Sequence, residues 1–216
     1  MNYTELQTAV EDYTENTFSA VDFANMTKLA EQRIYNSVQL PALRKNVTGT
    51  LTIGNKYLAA PTDFLSVFSM AVSDALGNYS YLLNKDVNFI REAYPGPSTQ
   101  GTPKYYALFG PDSSNLTELT FILGPTPDAG LTVELHYFYY PESIVTANTS
   151  WLGDNFDSVL FNAVMVEAAR FMKQEQDIVG SMDKEYMQSL MLLKNLGDGK
   201  QRQDAYRSGQ VRTKVV

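Results

Sequence analysis

One histidine and no cysteine leave this 216-residue chain few routes to covalent chemistry. Disulfides, thiolate metal sites and cysteine nucleophiles are excluded at once. A Ser/His/Asp system would have to use His136, yet the residues around it, Glu134 to Tyr140, alternate as an aromatic strand rather than a loop. Its ordinary role there is that of a hydrogen-bonded sheet histidine. Glu118 and Glu134, on neighbouring candidate strands, can be nominated as a carboxylate pair for glycoside hydrolysis, although an acidic chain always offers such pairs. Asp154, Asn155 and Asp157 are the nearest approach to a hard-cation cluster, and the simpler role of Asp154 is to cap a helix. No Gly-x-Ser-x-Gly elbow, phosphate-cradling Gly-x4-Gly-Lys-Ser/Thr loop or Gly-x-Gly-x-x-Gly turn occurs. We therefore expect no catalytic residues, no metal and no cofactor.

Residue types suited to contacts are more plentiful. Glu167 and Arg170 stand three apart on an apolar helical stripe and can pair, either within the fold or as a contact between subunits. Nine of the fourteen tyrosines lie between Tyr57 and Tyr140. Tyrosine buries a large ring while keeping its hydroxyl wet, which suits interfaces and also sugar stacking. In the adjacent pairs Tyr105-Tyr106 and Tyr139-Tyr140 the side chains must take opposite sheet faces, so half of each pair should point outward. The last nineteen residues, 198–216, hold five bases (Lys200, Arg202, Arg207, Arg212, Lys214), two acids and one aromatic, Tyr206. They contain nothing to build a core, and read as a cationic arm that either stays free in solvent or orders on a partner.

That arm is formally +3 in a chain of net charge −7, which leaves the body at −10. Such a body repels duplex DNA rather than gripping it. An acidic wall does suit a passage through which DNA slides. No apolar run approaches the length of a membrane helix and the N-terminus lacks a basic n-region, so neither a membrane span nor a signal peptide is expected.

The elements that must position these residues follow from punctuation and period. All nine prolines fall between Pro41 and Pro141, which predicts helices at both ends and a strand-rich middle. Phe23, Met26, Ala30, Ile34 and Val38 repeat at helical spacing over about 19–38, with Lys28, Glu31 and Gln32 off the stripe. Thr4 can cap a shorter helix before it. Alternation from Val47 to Ile53, a Gly54-Asn55 turn and Lys56 to Leu58 predict a hairpin. Further strands are expected at 64–73, 79–83, 104–109, 117–123 and 131–140, with a short helix over 86–92. A helix capped by Asp154 should run to about Ile178, break at Gly180-Ser181 and resume through Met182, Tyr186, Leu190, Leu193 and Leu196. The reading is α+β: a bundle of N-terminal (1–40) and C-terminal (151–197) helices, an inserted antiparallel sandwich or barrel (41–150) and an extended arm (198–216).

In their order along the chain these segments resemble the head-to-tail adaptors of tailed bacteriophages, the tail tubular protein A-type connectors. The likeness lies in Ala30-Glu31-Gln32-Arg33-Ile34-Tyr35, in Tyr57 to Leu65 with its Ala-Ala-Pro-Thr-Asp-Phe-Leu, and in Gly101-Thr102-Pro103-Lys104-Tyr105-Tyr106-Ala107. It continues through Leu135 to Pro141, Trp151-Leu152, and Glu167-Ala168-Ala169-Arg170-Phe171. The resemblance implies a non-enzymatic virion protein, assembled in the host cytoplasm, whose copies, commonly twelve, form a ring between the portal protein and the tail nozzle or tube. Genomic DNA would pass through without sequence recognition, and no membrane would be involved. On this reading Arg202, Tyr206, Arg207, Arg212 and Lys214 of the arm meet the portal. Glu167 and Arg170 are candidates for the subunit contact, and Tyr105, Tyr106, Tyr139 and Tyr140 for the tail component. The alternatives are another neck or tail-completion protein, or a carbohydrate-binding or depolymerising tail protein.

Overall fold

The computed structural model describes residues 1–199 other than Pro97, Ser113 and Ser114. In chain order the elements are α1 (Tyr3–Thr14), α2 (Ala20–Ser37), β1 (Arg44–Thr50), β2 (Tyr57–Ala59), β3 (Ser66–Ser73), β4 (Tyr79–Tyr81), β5 (Leu83–Asn84) and α3 (Val87–Ala93). They continue with β6 (Tyr105–Asp112), β7 (Asn115–Gly124), β8 (Thr132–Phe138), α4 (Ile144–Ala147), α5 (Trp151–Asn155), α6 (Asp157–Phe171) and α7 (Gln176–Gly199). The fold is α+β, in two compact units: Arg44–Tyr140, and Met1–Leu43 together with the chain from Pro141 onward.

In the helical unit, apolar stripes decide the packing. Phe23, Met26, Ala30 and Ile34 of α2 are buried, as are Val159, Leu160, Ala163, Val164 and Ala168 of α6 and Tyr186, Leu190 and Leu193 of α7. The helices α1, α2 and α7 all pack on α6, which is apolar on most of its circumference because it is covered on most sides. The cap of α1 is Asn2, not Thr4: Asn2 and Glu5 exchange side-chain-to-backbone hydrogen bonds of 2.9 Å in a reciprocal box. Ser19 caps α2, accepting from Asp22 N at 3.1 Å.

The C-terminal helices differ from expectation in two places. Ser150, rather than Asp154, caps a short α5, and Asp154 lies inside that helix. The break falls at Met172 to Glu175, where Lys173 takes a left-handed φ of 56°, and α7 then runs straight through Gly180 and on to Gly199. Gly180 faces open space. An interior glycine costs a helix only about 1 kcal/mol relative to alanine, less than burial of Tyr186, Leu190 and Leu193 supplies.

The second unit is a sandwich of two four-stranded sheets, ordered β1-β8-β3-β4 and β2-β7-β6-β5. Pairing is antiparallel except between β5 and β6. The expected hairpin is absent: β1 pairs with β8 and β2 with β7, so the Gly54-Asn55 turn carries the chain from one sheet to the other. Leu51 sits in the core between them, donating its N–H to Leu131 O at 2.9 Å. Alternation places Leu131, Val133, Leu135 and Tyr137 inward against Phe64, Met70, Val72, Tyr106, Phe121 and Leu123. The short helix α3 seals the outer face of the second sheet with Ile90 against Ala107 and Ile122.

Candidate interaction surfaces

The residues nominated for catalysis are dispersed by the fold. His136 packs edge-on against Phe68, with ring centroids 5.1 Å apart, on the outer face of the first sheet. Glu118 and Glu134 are not on neighbouring strands: β7 and β8 belong to different sheets. Glu134 accepts from Asn46 Nδ2 at 3.1 Å and from the Tyr79 hydroxyl, whose proton it thereby holds. Asp154 and Asp157 lie in separate helices. No group of three or more His, Asp or Glu among the described residues could hold a metal ion.

Glu167 and Arg170 do come together, at 3.5 Å, but Glu167 has a second partner. Arg33 on α2 forms an ion pair with Glu167 on α6 and lies over the Tyr186 ring of α7, 5.5 Å from its centroid. Three helices are tied at one point. Burial, and then the neighbouring Arg170 charge, lowers the Arg33 guanidinium from its ordinary value. Arg170 keeps half its side chain in solvent, and so remains available to another chain.

A second helical tie was not visible from spacing. Glu31, expected off the apolar stripe, is 3% exposed. Its Oε1 accepts the Ile144 N–H at 2.9 Å, closing the start of α4. Burial raises its carboxyl above the ordinary value, against the opposing hydrogen bonds from Ile144 and Ser143.

The tyrosine pairs divide by face. Tyr106 is buried in the sandwich core, edge-on to Phe121. Tyr105 lies under α3 against Phe89 and Tyr94. Tyr139 packs on the sandwich core beneath Lys45 Nζ, 5.2 Å from its ring centroid, and Tyr140 is exposed. Beside them Asp63 accepts from Lys45 Nζ at 2.8 Å and from the Tyr137 hydroxyl at 2.7 Å. Burial acts to raise the Asp63 carboxyl, but these donors outweigh it and hold it below the ordinary range. Burial and the Asp63 charge push the Tyr137 hydroxyl up to about 12.

Two irregularities aim aromatic rings outward. The register of β3 slips at Phe68 and that of β6 at Phe109. Arg44 covers Phe68 at 4.1 Å from its centroid, and Arg91 covers Phe109 at 4.9 Å, where Tyr57 and Lys56 extend the cluster. A period-two pattern could not announce a bulge, so sequence reading missed both. The arm residues Arg202, Tyr206, Arg207, Arg212 and Lys214 lie outside the described residues.

The sequence model for the SU10 adaptor protein matches residues 1–214, almost the whole chain. The chain belongs to the SU10 adaptor protein family. No curated protein matches it. Membership makes it a bacteriophage head-to-tail adaptor, and the motifs that carry that resemblance now have positions in the fold. The Ala30 to Tyr35 segment carries Glu31 and Arg33, both helical ties. The segments Tyr57 to Leu65 and Leu135 to Pro141 meet at the Asp63–Tyr137 hydrogen bond.

Proposed function

We propose that copies of this adaptor assemble as a ring, commonly of twelve, that joins a portal protein to a tail nozzle or tube protein and surrounds the path of genomic DNA. The family match over residues 1–214 carries this reading. The chemistry of the chain supports it. The body is acidic, with a formal charge of −10 once the +3 arm is set apart, so a DNA duplex passing through would not adhere. No helix among the described residues is long and apolar enough to cross a membrane.

Within the ring the cationic arm meets the portal: Arg202, Arg207, Arg212 and Lys214 pair with acids or carbonyls there, and Tyr206 anchors in a pocket. Arg170, paired to Glu167 yet half in solvent, reaches the neighbouring subunit. Tyr105, Tyr139 and Tyr140 serve the tail component, Tyr140 most directly because it is exposed. The adaptor belongs to the virion neck and is assembled in the host cytoplasm.

Removal of residues 200–216 tests the arm. The truncated protein should unfold at the same denaturant concentration as the full chain and should fail to bind the portal ring of the phage that encodes it. Undiminished portal binding would move the contact to the body.

A further inference from the structure

The β3–β4 turn presents a hydrophobic knob on a rigid mount. Leu76 is 87% exposed, the highest value among the large hydrophobic side chains described. Its turn is not slack: Asp74 Oδ1 accepts the N–H groups of Leu76 and Asn78 at 2.9 Å each, and Oδ2 accepts Asn78 Nδ2 at 2.9 Å. Gly77 takes the positive φ of 82° that the tight return requires and donates to Asp74 O at 3.1 Å. Hydrogen bonding holds the Asp74 carboxyl below its ordinary value. Tyr79 and Tyr81, 56% and 72% exposed, stand on the adjoining edge strand β4.

The opposite edge of the same sandwich has a matching hollow. Strands β1 and β2 are the edge strands of the two sheets on that side. Between them lies an apolar groove of about 290 Å³ floored by Val133 and Leu135 and walled by Val47, Leu58, Ala59 and Pro61. Six of the seven residues of β1 are exposed, and the stretch from Asn46 to Thr50 carries neither charge nor proline to discourage pairing.

We infer that Leu76 of one copy seats in the β1–β2 groove of the next, so that the adaptor associates head-to-tail through opposite edges of its sandwich. Knob and hollow lie on opposite edges, so the contact cannot be two-fold. A heterologous contact of this kind repeats, closing as a ring or running on as a filament. The area is sufficient to matter: Leu76, Tyr79 and Tyr81 together offer roughly 400 Å², about half of the ~800 Å² each partner gives to a standard specific interface. The leucine is held out on a turn fixed by five hydrogen bonds, the fifth from Asp74 N–H to Asn78 O at 3.2 Å. The inference concerns copies of this chain alone and does not need the portal.

The absence of native cysteine allows a direct test. Full-length chains carrying Leu76→Cys are mixed with chains carrying Ala59→Cys, oxidised, and run on a non-reducing gel. The expected result is a covalent dimer formed in clear preference to those from Leu76→Cys with itself or with Val21→Cys, an exposed site in the helical unit. Leu76→Glu should lower self-association, measured by sedimentation, by roughly tenfold or more while leaving the melting temperature unchanged. Equal yields from all three mixtures, or none, would overturn the inference. If the dimer forms but no copies bind a portal ring, the edge contact stands and the adaptor role falls. If copies bind the portal without this cross-link, the reverse holds.

Discussion

At the scale of single residues, two carboxylates decide how the chain is tied, and they respond to pH with opposite sign. Glu31 is a buried acid whose carboxyl lies above its ordinary 4.5, so its charge opposes folding at neutral pH and stability is gained as pH falls through the raised value. Glu31→Gln keeps an acceptor for the Ile144 N–H without the charge, and should match or exceed the wild type in urea unfolding at pH 7, with the difference shrinking toward pH 4.5. Glu31→Ala leaves that N–H unpaired in the interior and should cost about 2 kcal/mol. Asp63 is held below its ordinary 3.8, so its contribution is present above that pH and lost as pH falls through the folded value. Its partner Tyr137, at about 12 against an ordinary 10, contributes fully below pH 10 and is lost as pH rises toward 12. Tyr137→Phe should therefore cost about 1.5 kcal/mol at pH 7, with the gap to wild type closing above pH 10 in denaturant titrations. Glu31 was read from sequence as a residue off the apolar stripe because its reason for burial, the unsatisfied start of α4, lies 113 residues away. Periodicity sees a helix's own face and not what lands on it.

At the scale of elements, the confinement of proline to Pro41 through Pro141 and the alternation from Leu131 to Tyr139 gave away the helical ends, the strand-rich middle and the inner face of β8. Strand partners were not legible. Gly54-Asn55 marks a real turn, but a turn signal does not say whether the chain returns along the same sheet or crosses to the facing one, and Leu51 in the core draws it across. Gly180 misled for a related reason: a local breaker was outweighed by the buried face of α7. Glu167 and Arg170 were found as a pair because they share a helix, whereas Arg33, which completes the site from α2, is remote in sequence. Arg33→Ala leaves a largely buried Glu167 with only Arg170 and should destabilise the protein by about 2 kcal/mol. Arg33→Met combined with Glu167→Leu should cost less than the single change, since the charge left without a partner, that of Arg170, is half in solvent rather than buried. A double-substitution cycle in guanidinium measures both. Packing between elements is equally tight at α5, where a methyl group on Gly153 would collide with the Met1 carbonyl. Gly153→Ala should lower the melting temperature by several degrees, equivalent to about 1–3 kcal/mol of overpacking.

At the scale of the whole molecule, the two units differ in what they present. Arg33, Glu31 and the buried stripes of α2, α6 and α7 make a rigid helical body, while the sandwich carries the exposed rings at Phe68, Phe109, Tyr79, Tyr81 and Tyr140. The substitutions discussed above should alter stability or assembly. The claim that binds these observations together is that copies of this chain add to a portal ring. It is tested by measuring particle mass in solution, by mass photometry, for the portal ring of the phage that encodes the adaptor before and after mixing with the purified protein. The account predicts a discrete gain equal to one 24.2 kDa chain for each portal subunit. A portal whose mass does not change, under conditions where the adaptor is folded, would contradict it.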